Sequence, residues 1–194
     1  MTARNIDPEV LLQRWLSEAR AAGETLPEAM ALATTRPDGS PSVRMVLMRG
    51  SGPNLMFFTD TESEKGDDLG HDARAAVLFH WHLPVHRQVR VSGVARRASD
   101  GEADRYWLTR TPAARRTAVA SHQSHVIEEL ATIDRLAAEL ERLHGDDIER
   151  PGRWGGYHLR PEIVEFWQEG ANRLHDRLRY RRVGTDWNSE RLAP

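Results

Sequence analysis

Arg36-Pro37-Asp38-Gly39-Ser40 constrains this chain more than any other stretch, because proline, aspartate and glycine in succession specify a reversal and β-formers flank it on both sides. The pattern predicts a hairpin of Met30 to Thr35 with Ser42 to Met48, followed by strands over Leu55 to Thr59 and Ala75 to Trp81. From Gln88 to Ala95 the alternation is regular, with Val89, Val91, Gly93 and Ala95 on one side and Gln88, Arg90, Ser92 and Val94 on the other. Further strands are expected over Tyr157 to Leu159, Ile163 to Trp167, Arg177 to Arg182 and Trp187 to Leu192, the last two joined across Gly184-Thr185-Asp186. Helices interrupt this series. Asp7 before Pro8 opens one that runs to about Ala22, and Ser63 caps a short one carrying Lys65 and Leu69. Asp100 to Arg110 and Val126 to His144 read as helices, the second with Ile127, Leu130, Ile133, Leu136 and Leu140 as its apolar stripe, and Glu149 to Gly156 reads as a loop. About six or seven short antiparallel strands with peripheral helices make a small β-barrel of the α+β class.

The 194 residues suit one domain, without internal repeats. A formal charge of −2 gives no general pull toward polyanions, so nucleic acid is not an expected partner. With no cysteine, disulfides, thiolate metal sites and cysteine nucleophiles are excluded. No apolar run reaches membrane-spanning length, and the opening MTARNIDPEV lacks the basic and apolar regions of a signal peptide, so a cytoplasmic protein is expected.

Several polar residues fall where a phosphate site would need them: Arg44 within a strand, Thr59 at a strand end, Ser63 and Lys65 at a helix start. Gln88 and the Gln123-Ser124 pair could read a heterocycle's carbonyls and ring nitrogens. Each also fits an ordinary solvated position, and the residues alone leave both readings open. His80, His82 and His86 lack a carboxylate at ligand spacing, so no metal is expected.

The C-terminal quarter is more specific. It reads Trp154-Gly155-Gly156-Tyr157, Pro161-Glu162-Ile163-Val164-Glu165-Phe166-Trp167-Gln168, Asn172-Arg173-Leu174-His175-Asp176-Arg177 and Arg191-Leu192-Ala193-Pro194. This resembles the signature of the pyridoxamine/pyridoxine 5′-phosphate oxidases, and the resemblance extends through Arg44 to Met48, Phe57-Phe58-Thr59, Arg87-Gln88-Val89 and Gln123-Ser124. It implies an FMN-binding split β-barrel spanning residues 1–194, with an N-terminal helix in 1–25 and a dimerisation and substrate segment in 151–194, forming a homodimer that holds FMN between subunits. By the same resemblance Arg44, Met45, Val46, Leu47, Met48, Arg49, Phe58, Thr59, Lys65, Gln88, Gln123, Ser124, Trp167 and Arg177 would line the FMN site. Arg49, Tyr106, Arg110, Arg173, Leu174 and His175 would contact the substrate, with Arg173 and His175 at the reacting face and His175 as the proton acceptor near neutral pH. The implied reaction is oxidation of pyridoxamine or pyridoxine 5′-phosphate to pyridoxal 5′-phosphate, with O2 as acceptor and H2O2 as product. A sister oxidase of the phenazine-biosynthesis type and a non-catalytic flavin or pyridoxal-phosphate carrier are the alternatives.

The chain departs from that family's pattern at four positions. Arg49 stands where lysine is usual, Glu64 where an FMN-phosphate arginine is usual, Ala114 where a serine binds the substrate phosphate, and Val119 where tryptophan is usual. Glu64 predicts weaker FMN binding or a rearranged loop unless it turns to solvent. Ala114 removes a charge-assisted hydrogen bond, and Arg115 or Arg116 is the expected substitute. The family's arginine-rich N-terminal arm has no counterpart ahead of the first helix.

Overall fold

The computed structural model describes residues 6–50 and 55–194; the expected start of the N-terminal segment, residues 1–5, lies outside them. The elements are α1 (Pro8–Ala21), β1 (Ala29–Thr35), β2 (Pro41–Leu47), β3 (Leu55–Asp60), α2 (Glu64–His71), β4 (Arg74–Trp81), β5 (Arg87–Arg97), α3 (Asp100–Thr109), α4 (Pro112–Ala120), α5 (Ala131–His144), β6 (Trp154–Gln168), a 3-10 turn (Ala171–Arg173), β7 (Asp176–Val183) and β8 (Asp186–Leu192).

All pairings are antiparallel, in the order β2-β1-β4-β5-β6-β7-β8, with β3 also on β6. The first half of β6 pairs with β3 and its second half with β7, while β5 runs along both halves. An isolated bridge, Arg49 to Met56, ties the end of β2 to β3 and brings the sheet round toward closure. The β7–β8 hairpin extends beyond the closed part, giving the split barrel that the resemblance implied.

β6 bulges at its corner beside Pro161: Ser92 and Gly93, consecutive on β5, pair with Ile163 and Pro161, which leaves Glu162 as the extra residue. A Cβ at Gly93 would lie 1.9 Å from the Arg160 carbonyl oxygen, so only glycine permits this approach.

Alternation decides the core. Leu32, Phe57, Phe79, Val89, Val91, Leu159, Phe166 and Leu178 point inward, and α1 closes one end with Leu11, Leu12, Trp15, Leu16 and Ala19. Asp7 caps α1 by accepting from the Glu9 amide at 2.7 Å, and Pro8 needs no amide partner at that position. Trp15 meets Phe166 edge-on at 5.1 Å; burying each such side chain stabilises by roughly 1.5–3 kcal/mol. A second, smaller cluster of Ala103, Trp107, Ile148 and Trp154 holds α3, α4 and α5 against β6.

Four expectations are corrected. Helix α5 begins at Ala131 rather than Val126, because Ser124 takes a positive φ of 73° and Leu130, at the N-cap, has no side chain able to cap. Its expected apolar stripe is not buried, and Val126 is fully exposed. Helix α4 was not expected, although Thr111-Pro112 repeats the cap-then-proline signature of Asp7-Pro8. The expected loop over 149–156 and the two strands after it give way to one strand starting at Trp154 and continuous through Pro161, and the sheet has eight strands where six or seven were expected. Among the described residues no helix is long and apolar enough to cross a membrane.

Candidate functional site

The hairpin register sets Arg44 opposite Leu32, an inward position, so its guanidinium reaches under the sheet toward α2. There it donates to Thr34 Oγ1 at 2.6 Å, Ser42 Oγ at 2.7 Å and Asp68 Oδ2 at 3.3 Å. Asp68, buried on α2, also accepts from Thr34 at 2.6 Å and so fixes the guanidinium from behind.

Lys65 lies in the first turn of α2, after the N-cap Ser63. Its ammonium donates to Gln123 Oε1 at 2.6 Å, Ser63 Oγ at 3.0 Å and Thr59 Oγ1 at 3.1 Å. All three partners are neutral, and among the described residues the ammonium makes no ion pair. Burial, and then the nearby Arg44 charge, push its pKa down to about 8 against the partial opposition of Asp60, Glu64 and Asp68. A buried ammonium and a part-buried guanidinium, with hydroxyl, amide and helix N-terminal groups beside them, are the chemistry that a terminal phosphate requires. The donor set therefore fits FMN. Glu64 is exposed, so solvent weakens the expected repulsion from the cradle although its charge still reaches Lys65.

Beside the cradle, Phe58 stacks on Tyr106 with ring centres 4.1 Å apart and on Trp154 at 5.4 Å. A Cβ on Gly156 would come within 2.8 Å of the Phe58 ring, which is a physical reason for glycine after Trp154-Gly155. Arg110 lies 5.1 Å from the Trp154 ring centre and donates from Nη2 to the Ala114 carbonyl at 2.8 Å. Its Nε is buried without a partner, and burial foremost, then the charge of Arg49, lowers its pKa. A cavity of about 370 Å³, walled by Phe58, Thr59, Arg110, Ala114, Thr117 and Gln123 among others, joins this corner to the cradle. Arg49 faces the Tyr106 ring at 6.0 Å.

A second group forms elsewhere on the sheet. Gln88, Trp167 and Arg177 are direct cross-strand neighbours on β5, β6 and β7. His175 lies 4.7 Å from Trp167, ring centre to ring centre. Asn172 and Arg173 take left-handed φ values of 55° and 63°, a strained pair for side-chain-bearing residues. Arg177 is gripped by the nearly buried Glu165 through Nη2 at 2.7 Å and Nε at 3.0 Å. The Gly170 amide points at His175 Nδ1 from 3.4 Å, which favours the tautomer with hydrogen on Nε2.

Of the sequence-derived residues, Arg44, Thr59, Lys65 and Gln123 are thus brought together, with Phe58, Tyr106, Arg110 and Arg49 close by. Gln88, Trp167, His175 and Arg177 are brought together separately, and among the described residues no hydrogen bond, ion pair or ring contact joins the two groups. Met48 is buried, Val46 packs against the core, and Met45 and Leu174 are exposed by 64% and 71%. Leu47 ends β2, and Ser124 follows Gln123 in the strained turn. Arg116 is no substitute for the missing serine, since it is buried against Glu141 at 2.9 Å and Asp146 at 3.2 Å. Sequence reasoning missed Thr34, Ser42 and Asp68. Thr34 and Ser42 are register partners, and Asp68 follows Lys65 by three helical positions, so the hairpin register and the helix period together carried the signal. The rings of His80, His82 and His86 cluster at 4.5 to 6.3 Å, but among the described residues no group has an arrangement able to hold a metal ion.

Comparison with known proteins places this geometry. Residues 16–144 match the family described as pyridoxamine 5′-phosphate oxidase, and residues 154–194 match the pyridoxine 5′-phosphate oxidase C-terminal dimerisation region. A pyridoxine/pyridoxamine 5′-phosphate oxidase from Nocardioides sp. is 44% identical over 97% of this chain and 88% of its own length. One from Rubrobacter xylanophilus is 45% identical over 97% and 88%. The crystal structure of PhzG from Burkholderia lata, in complex with tetrahydrophenazine-1-carboxylic acid, superposes with a TM-score of 0.93 at 35% identity, covering 100% of this chain and 97% of that one.

Proposed function

The chain belongs to the pyridoxamine 5′-phosphate oxidase family, and from that premise we propose that it oxidises pyridoxamine or pyridoxine 5′-phosphate to pyridoxal 5′-phosphate. The observation that carries this reading is the Arg44–Thr59–Lys65–Gln123 cluster, buried at Thr59 and Lys65, opening through one cavity onto Arg110, and it supports a cofactor-phosphate grip beside a second anion grip. The chemistry FMN supplies when bound is two-electron oxidation of the substrate's amine- or alcohol-bearing carbon, with oxygen as final acceptor and hydrogen peroxide as product.

The chain's own residues do the rest. Arg44 and Lys65 hold the cofactor phosphate, Asp68 keeps Arg44 aimed, and Arg110 with Tyr106 anchors the substrate so that its reacting carbon is held in place. Gln88, Trp167 and Arg177 serve the ring end of the cofactor in a partner copy. His175 and Arg173 cover the substrate, with His175 donating from Nε2.

A homodimer follows from this division, since two groups that do not meet within one chain can meet between two. The apolar outer face of the sheet supports it, with Val43 and Met45 exposed beside Ala31, Ala33 and Leu78. The reading carries a cytoplasmic setting with it, because a phosphate monoester does not cross a bilayer unaided. The second reading is oxidation of another ring, favoured by the likeness to PhzG and by the altered α4.

Oxygen uptake and peroxide release by the FMN-loaded protein decide between them. Turnover of pyridoxamine 5′-phosphate well above that of pyridoxamine supports the first reading. Equal or absent activity on both refutes it.

A further inference from the structure

The cavity beside α4 contains a cation for which the described residues provide no counterion. Among the described residues Arg110 donates one hydrogen bond, to the Ala114 carbonyl, leaves Nε buried and unpartnered, and forms no ion pair. A half-buried guanidinium so placed calls for an anion.

The wall that this anion would touch is α4, which presents Ala114, Thr117, Ala118 and Ser121 to the cavity. Helix carbonyls point toward the C-terminus, so a guanidinium bonded to the Ala114 carbonyl lies level with the next turn, where Thr117 sits. Ala114 lines the same cavity but carries only a methyl group there. Ser121 closes the helix, and its carbonyl receives Arg153 at 3.1 Å. Thr117 Oγ1 donates only to the Ala113 carbonyl four residues back, at 3.1 Å. That acceptor already serves the helix ladder, so the hydroxyl can leave it for a charged oxygen with net gain. Arg116 is committed to Glu141 and Asp146, and Arg115 is not part of the cavity wall.

Resting on the function proposed above, we infer that Thr117 is a specificity-determining residue: its hydroxyl, with the Arg110 guanidinium, grips the substrate's phosphate, so that the donor absent at Ala114 is supplied one helical turn further on.

The test compares Thr117→Val, Thr117→Ser and wild type, all FMN-loaded, for binding of pyridoxal 5′-phosphate and of pyridoxal, and for KM and kcat with pyridoxamine 5′-phosphate. Thr117→Val keeps the shape and removes the hydroxyl. It should weaken pyridoxal 5′-phosphate binding and raise KM about tenfold, leave kcat and pyridoxal binding unchanged, and be rescued by serine. If valine binds the phosphate as tightly as wild type, or loses both ligands equally, the role of Thr117 is refuted while the oxidase reading stands. If wild type neither prefers the phosphorylated ligand nor turns over the phosphorylated amine, the oxidase reading falls and the inference falls with it.

Discussion

If Lys65 holds the cofactor phosphate, as proposed, FMN affinity depends on pH in a range where an ordinary lysine would leave it flat. The Lys65 pKa is pushed down to about 8 by burial and by the Arg44 charge. A bound phosphate, dianionic above pH ~7, favours the ammonium, so binding above pH 8 must first restore the proton. The free protein holds that proton in roughly 90% of molecules at pH 7 and roughly 10% at pH 9, so the Kd for FMN should rise about tenfold across that interval. A lysine at its ordinary pKa near 10.4 would change by only a few per cent. Stability runs the opposite way. Because the folded-state pKa lies below the unfolded one, the unfolded chain binds more protons between about pH 8 and 10, and Lys65 makes the cofactor-free protein more stable as pH rises through that window. The assay is flavin fluorescence quenching on cofactor-free protein from pH 6.5 to 9.5, with Lys65→Met as control and melting temperatures measured in parallel. Lys65→Met should bind FMN more weakly at pH 7 and lose the pH dependence. A flat wild-type profile, or a slope that survives in Lys65→Met, would refute the assignment of the buried ammonium to the cofactor phosphate.

Three further outcomes are expected. Arg44→Ala should lose FMN, read from the 450 nm absorbance of purified protein, whereas Arg173→Ala should retain it but reduce it more slowly in anaerobic stopped flow; equal FMN loss in both would show that the site is divided wrongly. Met45→Asp, on the exposed apolar face, should shift the protein from dimer to monomer in analytical ultracentrifugation and lower FMN content with it, and an unchanged dimer would place the interface elsewhere. Trp15→Ala should destabilise the fold by about 3–5 kcal/mol in urea unfolding, because the ring is buried against Phe166 where α1 covers the barrel; a loss below ~1 kcal/mol would mean that α1 is peripheral to the core.

The strands were legible because their signals are local. The Pro37-Asp38-Gly39 turn fixes the hairpin register, and the alternation from Val89 to Ala95 fixes which side is buried, so Arg44 could be placed on a strand but not aimed. Its direction depends on Asp68 and Thr34, which lie on other elements. The errors have the same character. A continuous β6 needs Gly93 of β5 to make room for its own bulge beside Pro161, a long-range match that no window around Pro161 contains. Helix α5 starts late because Ser124 reverses the backbone, and nothing in the apolar spacing of Ile127 and Leu130 reveals that reversal. Helix α4 carries a local signal in Thr111-Pro112, the same cap-then-proline pair that opens α1, but it is only nine residues long and has no apolar stripe to announce it.

The two anion grips rest on different parts of the fold, and this separation gives the site a particular freedom to change. Arg44 and Lys65 are held by the hairpin, by Asp68 on α2 and by Thr59 on β3, all packed on the main core. Arg110 and the cavity face of α4 rest instead on the small cluster around Trp107 and Trp154, where Val119 packs at the margin and Arg116 ties α4 to α5 through Glu141. The two regions meet at Phe58, which stacks on Tyr106 and Trp154 and is followed directly by Thr59 of the cradle. Under the proposed assignment, substitutions on α4 exchange one anion-binding hydroxyl for another, or refit the pocket to a different ring, without touching Arg44 or the Asp68 that aims it. The departures at Ala114 and Val119 fall within that exchangeable element, whereas the cradle departs only at Glu64, which is exposed. Cofactor identity is for that reason more firmly encoded in this chain than substrate identity, and α4 is the element on which the difference between a B6 vitamer and another aromatic acid must be measured.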